Sequence, residues 1–158
     1  MTNKSCFPNA IELIDVLFDF VVTGAAKEYL RLDIGQITED LAEKIAQTTP
    51  FSLENYRISL DSHGIRHILN KHGYSEKEGL RGQKPIQKRA LWRLPQIIAF
   101  SDNIDVIGKS AIGNDLVMFK KTMDDDVYFT IWEIRTVTSL KKQTKKQSRI
   151  MLQTFYIR

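Results

Sequence analysis

A lone cysteine, Cys6, is all the thiol this chain of 158 residues contains. It excludes an internal disulfide and any multi-cysteine zinc or iron-sulfur centre, and it fits a reducing compartment, with the cytoplasm as the expected location. No internal repeat, low-complexity tract or Pro/Gly/Ser-rich linker is present, which excludes a tandem array and predicts one compact unit. Long uncharged apolar runs are also missing. The most apolar stretch, "IELIDVLFDFVV", carries Glu12, Asp15 and Asp19 at helical spacing. It predicts an amphipathic helix packed on the domain or on a partner, and neither a signal peptide nor a membrane span. What is present suffices for a core, with 42% apolar and 27% charged residues.

Charge is divided unevenly along the chain. Residues 1–60 hold 5 Lys+Arg against 9 Asp+Glu, whereas residues 61–158 hold 18 against 10. A basic C-terminal portion suits a polyanionic partner, because Lys and Arg facing phosphates release condensed counterions.

Apolar and polar residues alternate in "EYLRLDIGQI", which predicts a strand, and "TEDLAEKIAQTT" follows as a helix with Thr38 as its N-cap and Glu39 and Asp40 in its first turn. "NYRISL" reads as a second strand. Asp61 or Ser62 then caps a helix from about His63 to Asn70 or Lys71, ended by Gly73. A polar loop runs to Pro85. "IQKRALWRLPQIIAF" has helical spacing with a break or fresh start at Pro95, and four strand-like runs, "IDVIGKS", "DLVMFKK", "DVYFTIWEIRTV" and "IMLQTFYI", complete the chain. Asp124 to Asp126 between two of these runs fit a hairpin turn, and Trp92 and Trp132 fit core positions. Helices first and an antiparallel meander afterwards indicate an α+β fold. The simplest division is a helical extension over 1–27 and a domain over 28–158.

All three histidines fall in "DSHGIRHILNKHG", as His63, His67 and His72. On a helix His63 and His67 lie one turn apart, as two zinc ligands do, but Gly64 stands where the HExxH motif needs its catalytic glutamate. No third ligand follows at fixed spacing, so no metal is assigned. Imidazole also exchanges protons near neutral pH, and the neighbouring Arg66 and Lys71 favour its neutral form. His63, beside the cap, fits a helix-surface role. His67 and His72 are the candidates for chemistry.

The combination of "YRISLDSHGIRHILNKHG", "LRGQKPI", "LPQII" and a run of terminal strands containing "LKKQTKK" resembles the phage-type nuclease domains of the barnase, EndoU, colicin E5/D and RelE superfamily. The resemblance spans roughly residues 28–158. It implies helices packed on a curved antiparallel sheet, metal-independent RNA cleavage without a cofactor, and a home in phages, mobile elements and toxin systems. Carried over by position, His67 and His72 match the helix-borne histidine region, Arg81 and Gln83 the "RGQ" loop, and Thr144 with Lys145 a polar and basic position before the last strand. That last region, "KKQTKKQ", carries extra lysines and no aromatic after its threonine.

Metal-free RNA cleavage needs a base for the 2′-hydroxyl, cations for the phosphorane and an acid for the leaving oxygen. The expected catalytic set is His72, His67, Arg81, Thr144 and Lys120. Nucleic-acid contacts fall to Gln83, Arg66, Lys71, Lys141, Lys142, Lys145 and Lys146. The expected partner is RNA, with tRNA among the candidates, together with a cognate inhibitor or immunity protein, and no membrane. A non-catalytic nucleic-acid-binding module on the same scaffold is the alternative, and a metal-dependent hydrolase ranks below it.

Overall fold

The computed structural model describes residues 7–24, 28–73, 79–80, 82–137 and 147–158. In chain order these form α1 (Ala10–Thr23), β1 (Arg31–Gln36), α2 (Glu39–Thr48), β2 (Arg57–Asp61), α3 (Ser62–His72), α4 (Lys88–Leu91), α5 (Leu94–Ala99), β3 (Asn103–Lys109), β4 (Asp115–Met123), β5 (Asp126–Arg135) and β6 (Arg149–Ile157). The strands make one six-stranded sheet in the order β1-β2-β6-β5-β4-β3. The architecture is α+β, as the element pattern indicates. One pairing departs from a pure meander, since β2 and β6 run parallel through Arg57↔Arg149, Ile58↔Ile150 and Ser59↔Met151. A parallel neighbour needs a long crossover, and here α3 through β5 supply it.

Helices α2 and α3 begin where short polar side chains can take their free N–H groups. Thr38 Oγ1 accepts from the Leu41 N–H at 3.4 Å, and Asp61 Oδ1 accepts from the Gly64 N–H at 2.7 Å. Asp61 also accepts from the Tyr29 hydroxyl at 3.0 Å, so the strand residue that ends β2 fixes the start of α3 twice. Pro95 lies in the first turn of α5, where its missing N–H costs nothing. Asp124 and Asp125 take positive φ in the β4–β5 turn, consistent with the expected hairpin.

Gly64 lets α3 lie directly on the sheet. A Cβ there would come 2.8 Å from the Leu152 carbonyl oxygen of β6, so the position of a zincin's glutamate is taken up by backbone contact. The core lies between the helices and one face of the sheet. Ile14 and Leu17 of α1, Ile65 and Ile68 of α3, and Ile97 and Ile98 of α5 meet Val117, Phe119, Trp132, Ile150 and Phe155 in one cluster. The N-terminal helix therefore contributes to the same core as the sheet. Trp132 is fully buried, whereas Trp92 is partly exposed and donates its indole N–H to Asp15 Oδ1 at 2.6 Å. The aromatic body of Trp92 covers surface while its polar edge finds a carboxylate, which the apolar sequence pattern does not distinguish from burial.

Candidate active site on the sheet face turned away from the core

Strand alternation sends Tyr128, Thr130, Trp132 and Ile134 of β5 toward the core and Phe129, Ile131, Glu133 and Arg135 to the opposite face. In β6 the phase changes midway. Ile131 pairs with Thr154 but Trp132 pairs with Leu152, leaving Gln153 as an extra residue. This bulge places both Met151 and Tyr156 on the face away from the core while Leu152 and Phe155 stay buried beneath it.

The lower part of that face carries a row of rings and cations. Lys120, Phe129 and Tyr156 are direct cross-strand partners. Phe129 and Tyr156 stack with centroids 4.7 Å apart and planes inclined by 13°. Lys120 Nζ lies 5.5 Å from the Phe129 ring, and the Arg158 guanidinium lies 5.7 Å from the Tyr156 ring. His72, the last residue of α3, meets the other side of the row, its ring 5.8 Å from that of Tyr156.

Several basic side chains of the molecule are already neutralised by a carboxylate, and these two are not. Lys84, Arg93, Lys109, Lys121, Arg135 and Arg149 each have a carboxylate within ion-pair distance. Lys120 and Arg158 have none among the described residues. The segment after α3 is fastened beside them: the Lys84 N–H donates to the Ile157 carbonyl at 2.8 Å, and the Ile86 N–H donates to the His72 carbonyl at 2.5 Å. Gln83 sits one residue before this anchor. Its Oε1 is buried without a hydrogen-bond partner among the described residues, as is Nη2 of Arg66.

The other candidates divide by position. His67 is exposed, and five helical residues put it about 140° around α3 from buried His72. Its pKa is held below the ordinary imidazole value by partial desolvation first, then by the positive charges of Lys71 and His72. Lys71 lies 40° from His67, roughly on the same face by the same rotation. Arg66 projects from the opposite side of α3 from Gly64, hence away from β6. His63 is exposed and packs its ring 5.2 Å from that of Tyr29, in keeping with a helix-surface role. Arg81, Thr144, Lys141, Lys142, Lys145 and Lys146 lie outside the described residues.

Sequence reasoning did not single out Phe129, Tyr156 or Arg158. The first two sit in apolar runs that read as core, and only the bulge at Gln153 shows which way Tyr156 faces. Glu133 was also passed over. It is 3% exposed on the upper part of the same face, where burial alone would raise its pKa. Hydrogen bonds from Ser110, Arg135 and Asn114, with the Arg135 charge, outweigh that and hold it below the usual carboxylate value. Its lone pairs are thus already engaged. Nearby, Arg149 Nη1 joins Asp33 at 2.6 Å and Ser59 at 2.8 Å.

A cleft of about 480 Å³ opens at the far end of β1, lined by Asp33, Gln36, Thr38, Asn55 and Arg57 among others. It is well removed from His72. Arg57 pairs with Arg149, and Tyr156 lies seven residues further along β6, a separation of roughly 20 Å. The cleft holds no histidine, so size favours it and chemistry does not. Among the described residues no three His, Cys, Asp or Glu side chains converge as a metal site would require, and no helix is long and apolar enough to cross a membrane.

No curated protein and no solved structure matches the chain. A family model does: the one described as phage-Barnase-EndoU-ColicinE5/D-RelE like nuclease3 matches residues 35–158, from the last residues of β1 through the end of β6. That stretch includes α3, the segment around Gln83 and the whole aromatic row, and so the chain belongs to this family of nucleases.

Proposed function

We propose that this nuclease is an endoribonuclease that cleaves RNA by attack of the ribose 2′-hydroxyl on the adjacent phosphate. The observation that carries the reading is one aromatic row, Phe129 and Tyr156, that meets His72 at Tyr156 and carries Lys120 and Arg158, neither with a carboxylate partner among the described residues. Such cations are suited to a phosphate, whose negative charge increases as the phosphorane forms.

In the proposed reaction His67 accepts the 2′-hydroxyl proton, which its lowered pKa favours because the imidazole is neutral near pH 7. The 2′-oxygen bonds to phosphorus, Lys120 and Arg158 stabilise the charge on the non-bridging oxygens, and the bond to the 5′-oxygen breaks. His72 protonates that oxygen. The products are a 2′,3′-cyclic phosphate and a 5′-hydroxyl. Arg81, Gln83, Thr144 and Lys145 are assigned to further phosphate contacts, and Arg66, Lys71, Lys141, Lys142 and Lys146 to the flanking strand. In a phage or mobile-element setting such an activity would act as a toxin held by a cognate inhibitor.

The test is incubation with total bacterial RNA in excess EDTA, alongside His67→Ala and His72→Ala. Discrete fragments ending in 2′,3′-cyclic phosphate, lost in the histidine variants, are expected. Intact RNA that nevertheless binds the wild-type protein would reassign the fold to a non-catalytic binding module. Cleavage only when a divalent ion is restored would move the chemistry to a metal.

A further inference from the structure

Four tyrosines lie among the described residues, and three have occupied hydroxyls. Tyr29 donates to Asp61, Tyr56 pairs with Thr136 at 2.7 Å, and Tyr128 accepts from Arg93 Nη1 at 3.0 Å. Tyr156 has none among the described residues, and it is half-buried on the face away from the core, with the Arg158 guanidinium and the His72 ring both near its own ring. A buried or half-buried phenol ordinarily finds a partner, so an unclaimed one beside a histidine and two unpaired cations invites a ligand acceptor.

We infer that Tyr156 is a catalytic residue: its hydroxyl donates a hydrogen bond to a non-bridging oxygen of the scissile phosphate, while its ring holds His72 in place. This rests on the nuclease reading above. The two functions belong to different parts of the side chain. The ring packs on two neighbours, Phe129 at 4.7 Å and His72 at 5.8 Å, so the phenol oxygen is aimed by packing before substrate arrives. A donor set in advance gains most when charge develops on its acceptor, which happens at the phosphate oxygens as the phosphorane forms. No proton is transferred by Tyr156, and none is needed, since the two histidines account for both.

The bulge at Gln153 has a purpose under this assignment. Without the extra residue, Tyr156 and Met151 would fall on opposite faces, and keeping Leu152 and Ile150 in the core would turn Tyr156 inward with them.

The experiment compares wild type, Tyr156→Phe, Tyr156→Ala and His72→Ala on a short single-stranded oligoribonucleotide, made with either oxygen or a single stereodefined sulfur at the non-bridging positions. Tyr156→Phe keeps the ring and is expected to lower kcat about 100- to 1,000-fold with little change in KM, the size of effect seen on removing one preorganised donor. One phosphorothioate diastereomer is expected to be cleaved slowly by wild type, because sulfur accepts hydrogen bonds weakly, and to lose that selective penalty in Tyr156→Phe. Tyr156→Ala should lose more than Tyr156→Phe, since the support of His72 goes as well. A Tyr156→Phe enzyme with wild-type kcat, or with the wild-type sulfur penalty intact, would overturn the role of the hydroxyl while leaving the nuclease reading standing. Equal rates for Tyr156→Phe and Tyr156→Ala would overturn the role of the ring. Absence of cleavage by wild type would remove the nuclease reading, and this inference with it.

Discussion

Strand β5 displays two different chemistries on its two faces. Toward the core, Trp132 donates to Thr130 Oγ1 at 2.8 Å, Thr130 donates to the Phe119 carbonyl at 3.0 Å, and both side chains are fully buried. Polar atoms there are satisfied within the fold. On the face turned away from the core, Phe129 lies between a lysine without a carboxylate and a tyrosine without a hydrogen-bond partner among the described residues. One face has been closed upon itself and the other has been left with unmet bonding capacity. The difference separates polar groups satisfied within the fold from groups left open to solvent, which is where the proposed site draws its residues.

The comparison is broken most severely from the core side. Trp132→Ala removes the largest fully buried side chain and should cost about 3–5 kcal/mol of stability, measured by urea unfolding. Phe129→Ala removes a half-buried ring from the other face and should cost distinctly less, while weakening catalysis through Lys120 and Tyr156. Equal losses from the two variants would show that the two faces are not functionally distinct.

Much of the core side was legible in the sequence. Thr38 and Asp61 announce two helix starts because a cap is a local device, needing only a short polar side chain at one position and free N–H groups two or three residues on. The histidine helix and the hairpin at Asp124–Asp126 follow from equally local rules. The site side was legible only in part. His67 and His72 stood out by type, and Lys120 by charge, yet Tyr156 and Phe129 were hidden because an aromatic in an apolar strand looks like core from either face. The parallel pairing of β2 with β6 is a contact between segments about 90 residues apart, which no local pattern encodes. Glu133 was silent for the same reason: its donors Ser110 and Asn114 arrive from the β3–β4 turn, and only Arg135 is close in sequence.

Glu133 provides the next prediction, since it is a buried charge on the outer face that is satisfied as fully as the core. Glu133→Gln should cost about 1–3 kcal/mol by weakening charge-assisted hydrogen bonds and leaving Arg135 without its carboxylate. The native pKa lies below the unfolded value, so the stabilisation is present above the unfolded pKa near 4.5 and is lost as pH falls through the lower native value. Wild type should therefore lose stability on acidification more steeply than Glu133→Gln below pH 4.5. Parallel pH curves would place the carboxylate among the merely solvated charges.

Lys120 sharpens the distinction between paired and unpaired cations. Lys120→Ala should weaken RNA binding roughly tenfold at low salt and reduce the slope of log K against log salt by about one, as loss of one phosphate contact does. Lys109→Ala removes a lysine already paired with Asp115 at 3.1 Å and should leave that slope nearly unchanged. The contrast is read by titrating both variants across a salt series, and equal slopes would show that carboxylate pairing does not decide which cations meet the nucleic acid.

The smallest effect expected concerns His67, which belongs to neither face of the sheet but to the helix edge between them. If it is the base, kcat/KM falls on the acid side as His67 becomes protonated, and that limb lies below the ordinary imidazole pKa of about 6.5. Lys71 is one of the causes of the lowering, so Lys71→Gln should move the limb upward, toward the ordinary value, whatever it costs in binding of the flanking strand. Stability follows the same sign. A cationic group whose native pKa is depressed binds fewer protons folded than unfolded, so the fold loses stability as pH falls below the unfolded pKa, and the loss is small because His67 is exposed. A pH–rate profile of Lys71→Gln whose acid limb coincides with wild type would take the base away from His67.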